Sequence, residues 1–239
     1  MFSPRAAVLL IGSALLSASA GPTLLRAEEP ADALRPPAVK TEEVPPLSAE
    51  TVERLRQYQN TRSAGFRGWS PLGLGVLVAT RFGETTQLHR VLRPGGRREQ
   101  VTFFREPVGG RFLSGSWSER LLLTMSQGGN ENYQIHLLDR HLGTTTLLTD
   151  GKSRNRLGPV RENGSQLAFT SNRRNGRDTD VYVLDPERPD SAKMVLQTDA
   201  EYWSPYDFSP DGSRLLLNRY VSINESYPAI LDLKTGTKK

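Results

Sequence analysis

The chain has 239 residues, enough for one large domain or two small ones, and its 36% hydrophobic and 24% charged residues are those of a folded protein with a core. The net charge is +5, but no Lys/Arg run exceeds two residues, so the basic stripe expected of a nucleic-acid binder is missing. The absence of cysteine excludes disulfides, thiolate catalysis and cysteine-ligated metals.

Arg5 precedes an apolar stretch from Ala6 to Leu16, and Ala18-Ser19-Ala20 supplies a small-x-small cleavage signal. This predicts a secretory signal peptide over residues 1–20, a periplasmic or secreted mature protein, and no stable membrane insertion after cleavage, because the run is too short to span a bilayer. Residues 21–47 are rich in Pro, Ala and Glu without periodicity and read as a flexible linker. Ser48 can cap a short helix over 48–60, with Val52, Leu55 and Tyr58 on one face.

From about Arg67 the pattern is all strand. In residues 107–152 the expected strands are Arg111–Trp117, Arg120–Ser126, Tyr133–Asp139 and Thr144–Thr149, joined by short polar turns. The clearest turn is Ser209-Pro210-Asp211-Gly212, with Ser70–Gly73 and Asn163-Gly164 in equivalent places.

These elements repeat about every 46 residues. Thr80, Thr124, Thr170 and Asn218 close one row of apolar strands. Leu138-Asp139, Leu184-Asp185 and Leu231-Asp232 form a second row, and Thr102, Thr149 and Thr198 a third. A period of that length with several short strands per unit predicts an all-β fold, a β-propeller with TolB-like or WD-type blades. Four blades of four antiparallel strands are expected over about 67–106, 107–152, 153–200 and 201–239, within a partial propeller over 61–239. The last blade is expected to be incomplete, lacking its fourth strand, as in the front part of a longer protein. A strand around Ser63–Trp69 is an alternative filler for that gap.

Chemistry is sparse. No two glycines lie four apart, so the Gly-x-Ser-x-Gly elbow of an α/β serine hydrolase is absent. His89 and His136 recur with the repeat, Tyr182 takes the same place in the third unit, and all three read as structural blade positions. His141 reads as a solvated hairpin residue. Two histidines on different blades make no metal site, and neither a metal nor a cofactor is expected. Trp69, Trp117 and Trp203 are expected to pack between blades. The loops between second and third strands (82–86, 127–132, 172–179 and 221–227) should share one face of the disc. Their candidate binding residues are Asn130, Glu131, Asn132, Arg173, Arg174, Asn224 and Glu225.

Several segments are more particular: Tyr58–Ala64 ahead of Trp69-Ser70-Pro71, Gly128-Gly129-Asn130-Glu131-Asn132, Asp150–Asn155, Phe169–Asn172 and Tyr220–Tyr227. On these the chain, over about residues 50–239, resembles the N-terminal propeller of secreted bacterial peptidases of the prolyl oligopeptidase family, the dipeptidyl or acylaminoacyl peptidase-like branch. The resemblance implies a propeller of about seven blades that caps a C-terminal α/β-hydrolase domain bearing a Ser-Asp-His triad. It also implies short peptides as substrates and a gating or positioning role for the propeller. No position of this chain matches a triad residue, so the chain is expected to be inactive alone. A free-standing TolB-like periplasmic propeller that binds proteins is the alternative reading.

Overall fold

The computed structural model describes residues 40–115 and 120–239. The expected signal peptide, most of the linker and Trp117 lie outside the described residues. The chain divides into two units, Met1–Thr61 and Arg62–Lys239. In the first, helix α1 (Ala49–Gln59) begins where Ser48 Oγ accepts the Thr51 amide at 3.1 Å. It ends where the Asn60 amide donates to the Arg56 carbonyl at 3.0 Å. None of its residues is buried. No helix among the described residues is long and apolar enough to cross a membrane.

The second unit is four antiparallel meanders in chain order. Blade 1 is β1 (Ala64–Trp69), β2 (Val76–Thr80), β3 (Gln87–Val91) and β4 (Arg98–Gln100). Blade 2 is β5 (Gly109–Phe112), β6 (Leu121–Met125), β7 (Gln134–Asp139) and β8 (Thr144–Leu147). Blade 3 is β9 (Asn155–Val160), β10 (Leu167–Ser171), β11 (Asp180–Asp185) and β12 (Arg188–Leu196). Blade 4 is β13 (Tyr202–Phe208), β14 (Arg214–Ser222) and β15 (Glu225–Asp232). This is a β-propeller array, because each strand pairs only with its sequence neighbours and the sheets pack face to face.

The alternative place for residues 63–69 is not taken up. β1 does not fill the gap in blade 4: it pairs with β2, from Ala64 opposite Thr80 to Trp69 opposite Val76. Blade 4 has three strands, as expected. Beyond β15 the chain turns at Gly236, and Lys239 exchanges backbone hydrogen bonds with Ile230 at 2.7 and 3.0 Å.

The repeat rows are explained by shared hydrogen bonds. Thr102 Oγ1 accepts the Leu88 amide at 2.9 Å, and Thr149 Oγ1 accepts the Ile135 amide at 3.1 Å. In blade 3 the roles reverse, and the Thr198 amide donates to Asp180 Oδ1 at 2.8 Å. Each threonine ties the link between two blades to the third strand behind it, satisfying polar groups that burial would otherwise leave unpaired.

The first row is one residue out of step in blade 1. Thr80 lies opposite Gln87, as Met125 lies opposite Gln134 and Ser171 opposite Asp180. The counterpart of Thr80 is therefore Met125, not Thr124. A slip of one residue exchanges the two faces of a strand. Accordingly Leu77 and Ala79 pack forward against blade 2, in one cluster with Leu121 and Leu123.

Three interblade clusters hold the array. The first joins blades 1 and 2. The second joins blades 2 and 3 through Leu122, Ile135, Leu148, Leu167, Phe169 and Tyr182. The third joins blades 3 and 4 through Ala168, Val181, Trp203, Leu215 and Leu217. Beyond both end blades the apolar faces are uncovered among the described residues. Phe66 and Trp69 are exposed at one end, and Leu216, Tyr206 and Ile230 at the other.

Turns also touch across blades. Gly164 closes the β9–β10 hairpin at φ 78°, its amide donating to the Arg161 carbonyl at 2.8 Å. A Cβ here would lie 2.3 Å from the Ser114 carbonyl oxygen of blade 2. Gly164→Ala is expected to cost about 2 kcal/mol, from the left-handed backbone and the clash together. A urea titration reads this as a lower midpoint with an unchanged slope.

Candidate functional site

The first strand of each blade is innermost. Residues of β1, β5, β9 and β13 line a shared cavity of 720 Å³. In a meander, the turns between second and third strands and the links between blades fall at one end of the sheets. The cavity lies toward that end, since Glu131, Thr179 and Arg154 also line it.

Its lining carries four arginines, Arg67, Arg111, Arg154 and Arg156, against one carboxylate, Glu131. Arg154 and Glu131 approach to 3.7 Å, with both side chains largely exposed, so this pair contributes little. Arg156 donates to the Tyr202 hydroxyl and lies 5.5 Å from that ring's centre. Arg111 is partly buried, and its Nη2 donates to the Gly158 carbonyl of blade 3. Its Nε is buried with no hydrogen-bond partner. Burial draws the Arg111 guanidinium below its usual range. Arg67, Arg111 and Arg156 form no ion pair among the described residues.

Asn155 lies in the cavity wall at 3% exposure. Its Nδ2 donates to the Tyr133 and Ser153 carbonyls at 3.0 and 2.8 Å, which fixes the orientation of the amide. Its Oδ1 is left as a buried acceptor without a partner.

Of the candidate binding residues named from the sequence, Glu131 alone lines this cavity. It sits at φ 59° in the β6–β7 loop, beside an Asn130 whose Oδ1 accepts the Asn132 amide at 2.9 Å. Arg173 lies over the Phe169 and Tyr182 rings, 5.1 and 4.6 Å from their centres. Arg174 is held by Asp180 at 2.8 Å, Asp178 at 3.2 Å and the Thr198 carbonyl at 2.8 Å. The β14–β15 connection is only Ile223-Asn224, since residues 221–222 and 225–227 belong to the strands. There Glu225 accepts from the Tyr227 hydroxyl at 2.7 Å.

His89 is buried and His136 partly buried on the third strands of their blades, whereas His141 is exposed. His89 sits 5.3 Å from the Phe82 ring with Nδ1 3.1 Å from the Gln87 carbonyl. Burial lowers the pKa of both His89 and His136. The tryptophans part company: Trp203 is buried between blades 3 and 4, whereas Trp69 is 74% exposed and meets Phe66 edge-on at 5.7 Å. The expectation that Trp69 packs between blades is corrected, because its ring, at the end of the innermost strand β1, meets only Phe66 among the described aromatic rings and stays largely exposed. Among the described residues, no cluster of three or more His, Asp or Glu is placed to hold a metal ion.

Arg67, Arg111 and Arg156 each stand alone in a strand, which gives them no local signal. Arg67, Arg111 and Arg156 do lie 44 and 45 residues apart, near the blade period, and that spacing was the available signal.

No protein-family model matches the chain, and no curated protein matches it. Solved structures do. TolB from Acinetobacter baumannii is 20% identical with a TM-score of 0.55, over 74% of this chain and 42% of that one. A putative TolB from Agrobacterium tumefaciens is 16% identical with a TM-score of 0.56, over 72% and 62%. Oligopeptidase B from Leishmania major is 13% identical with a TM-score of 0.51, over 74% and 26%. The chain thus spans less than two thirds of each of these proteins. At such identities the likeness is one of fold: a β-propeller of the kind found in TolB and in these peptidases.

Proposed function

We propose that this chain is the propeller portion of a prolyl oligopeptidase-like serine peptidase, where it admits and positions peptide substrate for a C-terminal α/β-hydrolase domain. The observation that carries this reading is the 720 Å³ cavity on the innermost strands, rimmed by the β6–β7 and β10–β11 loops. Its size falls in the range of sites that enclose small ligands. The sequence segments that resemble the family, Gly128–Asn132 and Tyr220–Tyr227, add support. Secretion to the periplasm, directed by residues 1–20, belongs to the same proposal.

The chain supplies no nucleophile elbow, and loss of a serine nucleophile costs on the order of 10⁶ in rate. The purified protein is therefore expected to leave a chromogenic dipeptide substrate intact in a continuous absorbance assay while still binding unlabelled peptide. Turnover above the buffer rate would overturn the reading.

A second reading, a free-standing TolB-like propeller that binds other proteins, draws support from the likeness to the two TolB structures. It expects a monodisperse product and one specific protein partner in a pull-down. The peptidase reading expects peptide binding instead.

A further inference from the structure

We propose that the cavity on the innermost strands is a carboxylate-binding site that selects acidic peptides. This rests on the peptide-admitting reading above and names the substrate class.

The argument begins with Arg111. A guanidinium carries five donors and keeps its charge in proteins. Taking a cation out of water is costly unless an anion accompanies it. Arg111 is partly buried between blades 2 and 3, has one carbonyl partner, and keeps a buried Nε without any. Arg67 and Arg156 line the same cavity, and like Arg111 they make no ion pair among the described residues. The single carboxylate of the lining, Glu131, turns to Arg154. Three arginines without a carboxylate partner among the described residues therefore line one concave space. Planar guanidinium donors match a carboxylate in a bidentate arrangement, and the match strengthens where water is excluded.

The rest of the lining suits a peptide. Asn155 holds a buried, unpartnered acceptor in the cavity wall, in an orientation that its own amide donors fix. Tyr133 and Tyr202 add aromatic surface, and Thr124, Thr170 and Thr179 add hydroxyls. Concave positive surfaces also draw anionic ligands inward, raising the association rate at low salt.

The test is fluorescence anisotropy with the full 239-residue chain and four labelled hexapeptides, three of them capped at both ends: acidic, neutral and basic. The fourth is neutral with a free C-terminal carboxylate. The capped acidic peptide should bind at least about 10-fold more tightly than the capped neutral one, as one charge-assisted contact would give. The basic peptide should show no binding, and affinity should fall as salt rises. Arg111→Gln and Arg156→Gln should each weaken the acidic peptide about 10-fold. Arg188→Gln, on the outer strand of blade 3, should leave it unchanged. Arg156 is exposed, so its variant keeps the test valid where Arg111→Gln fails to fold.

If the free-carboxylate peptide binds as well as the acidic one, the site takes chain termini as well as acidic side chains, and the proposal stands. Equal binding of the three capped peptides would overturn the carboxylate selection but leave the peptide channel intact. Acidic preference untouched by both arginine variants would place the site elsewhere and overturn the proposal. No binding of any peptide would remove the channel reading itself.

Discussion

Phe169→Ala is expected to lower stability by about 3–5 kcal/mol, the cost of deleting a buried aromatic from a core that collapses only partly. Phe169 is fully buried on β10 and packs with Leu122, Ile135 and Leu148 of blade 2. It also stacks on Tyr182 at 5.4 Å and 25°, with Arg173 lying over both rings. Its loss therefore removes aromatic stacking as well as apolar burial and leaves Arg173 over half a platform. Sheets stiffened by their own backbone ladders close only partly over the space. For a domain of this size the loss corresponds to a melting point lower by roughly 10 °C. Phe169→Leu, which keeps most of the volume, should recover most of it. A thermal melt followed by circular dichroism checks both, and an unchanged melting point for the alanine variant would show that blades 2 and 3 are not joined through this cluster.

The second large effect lies in the acidic knot of the β10–β11 loop. Asp180 is fully buried and accepts from Arg174 Nε and from the Thr198 amide, both at 2.8 Å. Asp180→Ala leaves the Arg174 charge and the Thr198 amide without that acceptor. Leaving the buried Thr198 amide without its acceptor costs about 1–3 kcal/mol. Asp178 extends the knot. The Arg177 guanidinium and the Asn175 amide beside it hold its carboxyl well below the usual carboxylate range. A depressed carboxyl pKa adds stability that is present above the unfolded-state value, about 4, and lost as pH falls through the folded one. Unfolding free energy should therefore decline below about pH 4, and Asp178→Asn should flatten that limb while lowering stability at neutral pH. Urea titrations at several pH values between 2 and 7 read both slopes. An acid limb equally steep in Asp178→Asn would assign it to other carboxylates.

The blades were legible because their signal is local. Alternating apolar residues, Asn-Gly and Pro-Asp-Gly turns and a repeat period all act through neighbours in the chain. Even the slip of Thr80 shows this. Thr80 and Thr124 share a residue type, but strand pairing sets Thr80 opposite Gln87 and Met125 opposite Gln134, and only the partner strand reveals it. Position in a loop marks Arg173 and Arg174 only as polar groups between strands. Arg174 instead spends its donors on Asp180, Asp178 and the Thr198 carbonyl, a set drawn from across 24 residues. Nothing in the Arg173-Arg174 dipeptide tells the residue over the aromatic pair from the residue in the ion knot.

By itself the sequence determined the repeat, the meander within each blade, and the want of a serine-hydrolase elbow or cysteine chemistry. These are properties of residue type and spacing, and short-range physics reads them directly. The tertiary structure decided which residues meet. It stacked the sheets so that Leu77 faces forward into blade 2, covered Trp203 while leaving Trp69 exposed, and turned the first strand of every blade inward. That last step set Arg67, Arg111 and Arg156 around one cavity. Convergence of residues 44 and 45 apart depends on how successive sheets pack, and the packing angle is written in no single strand.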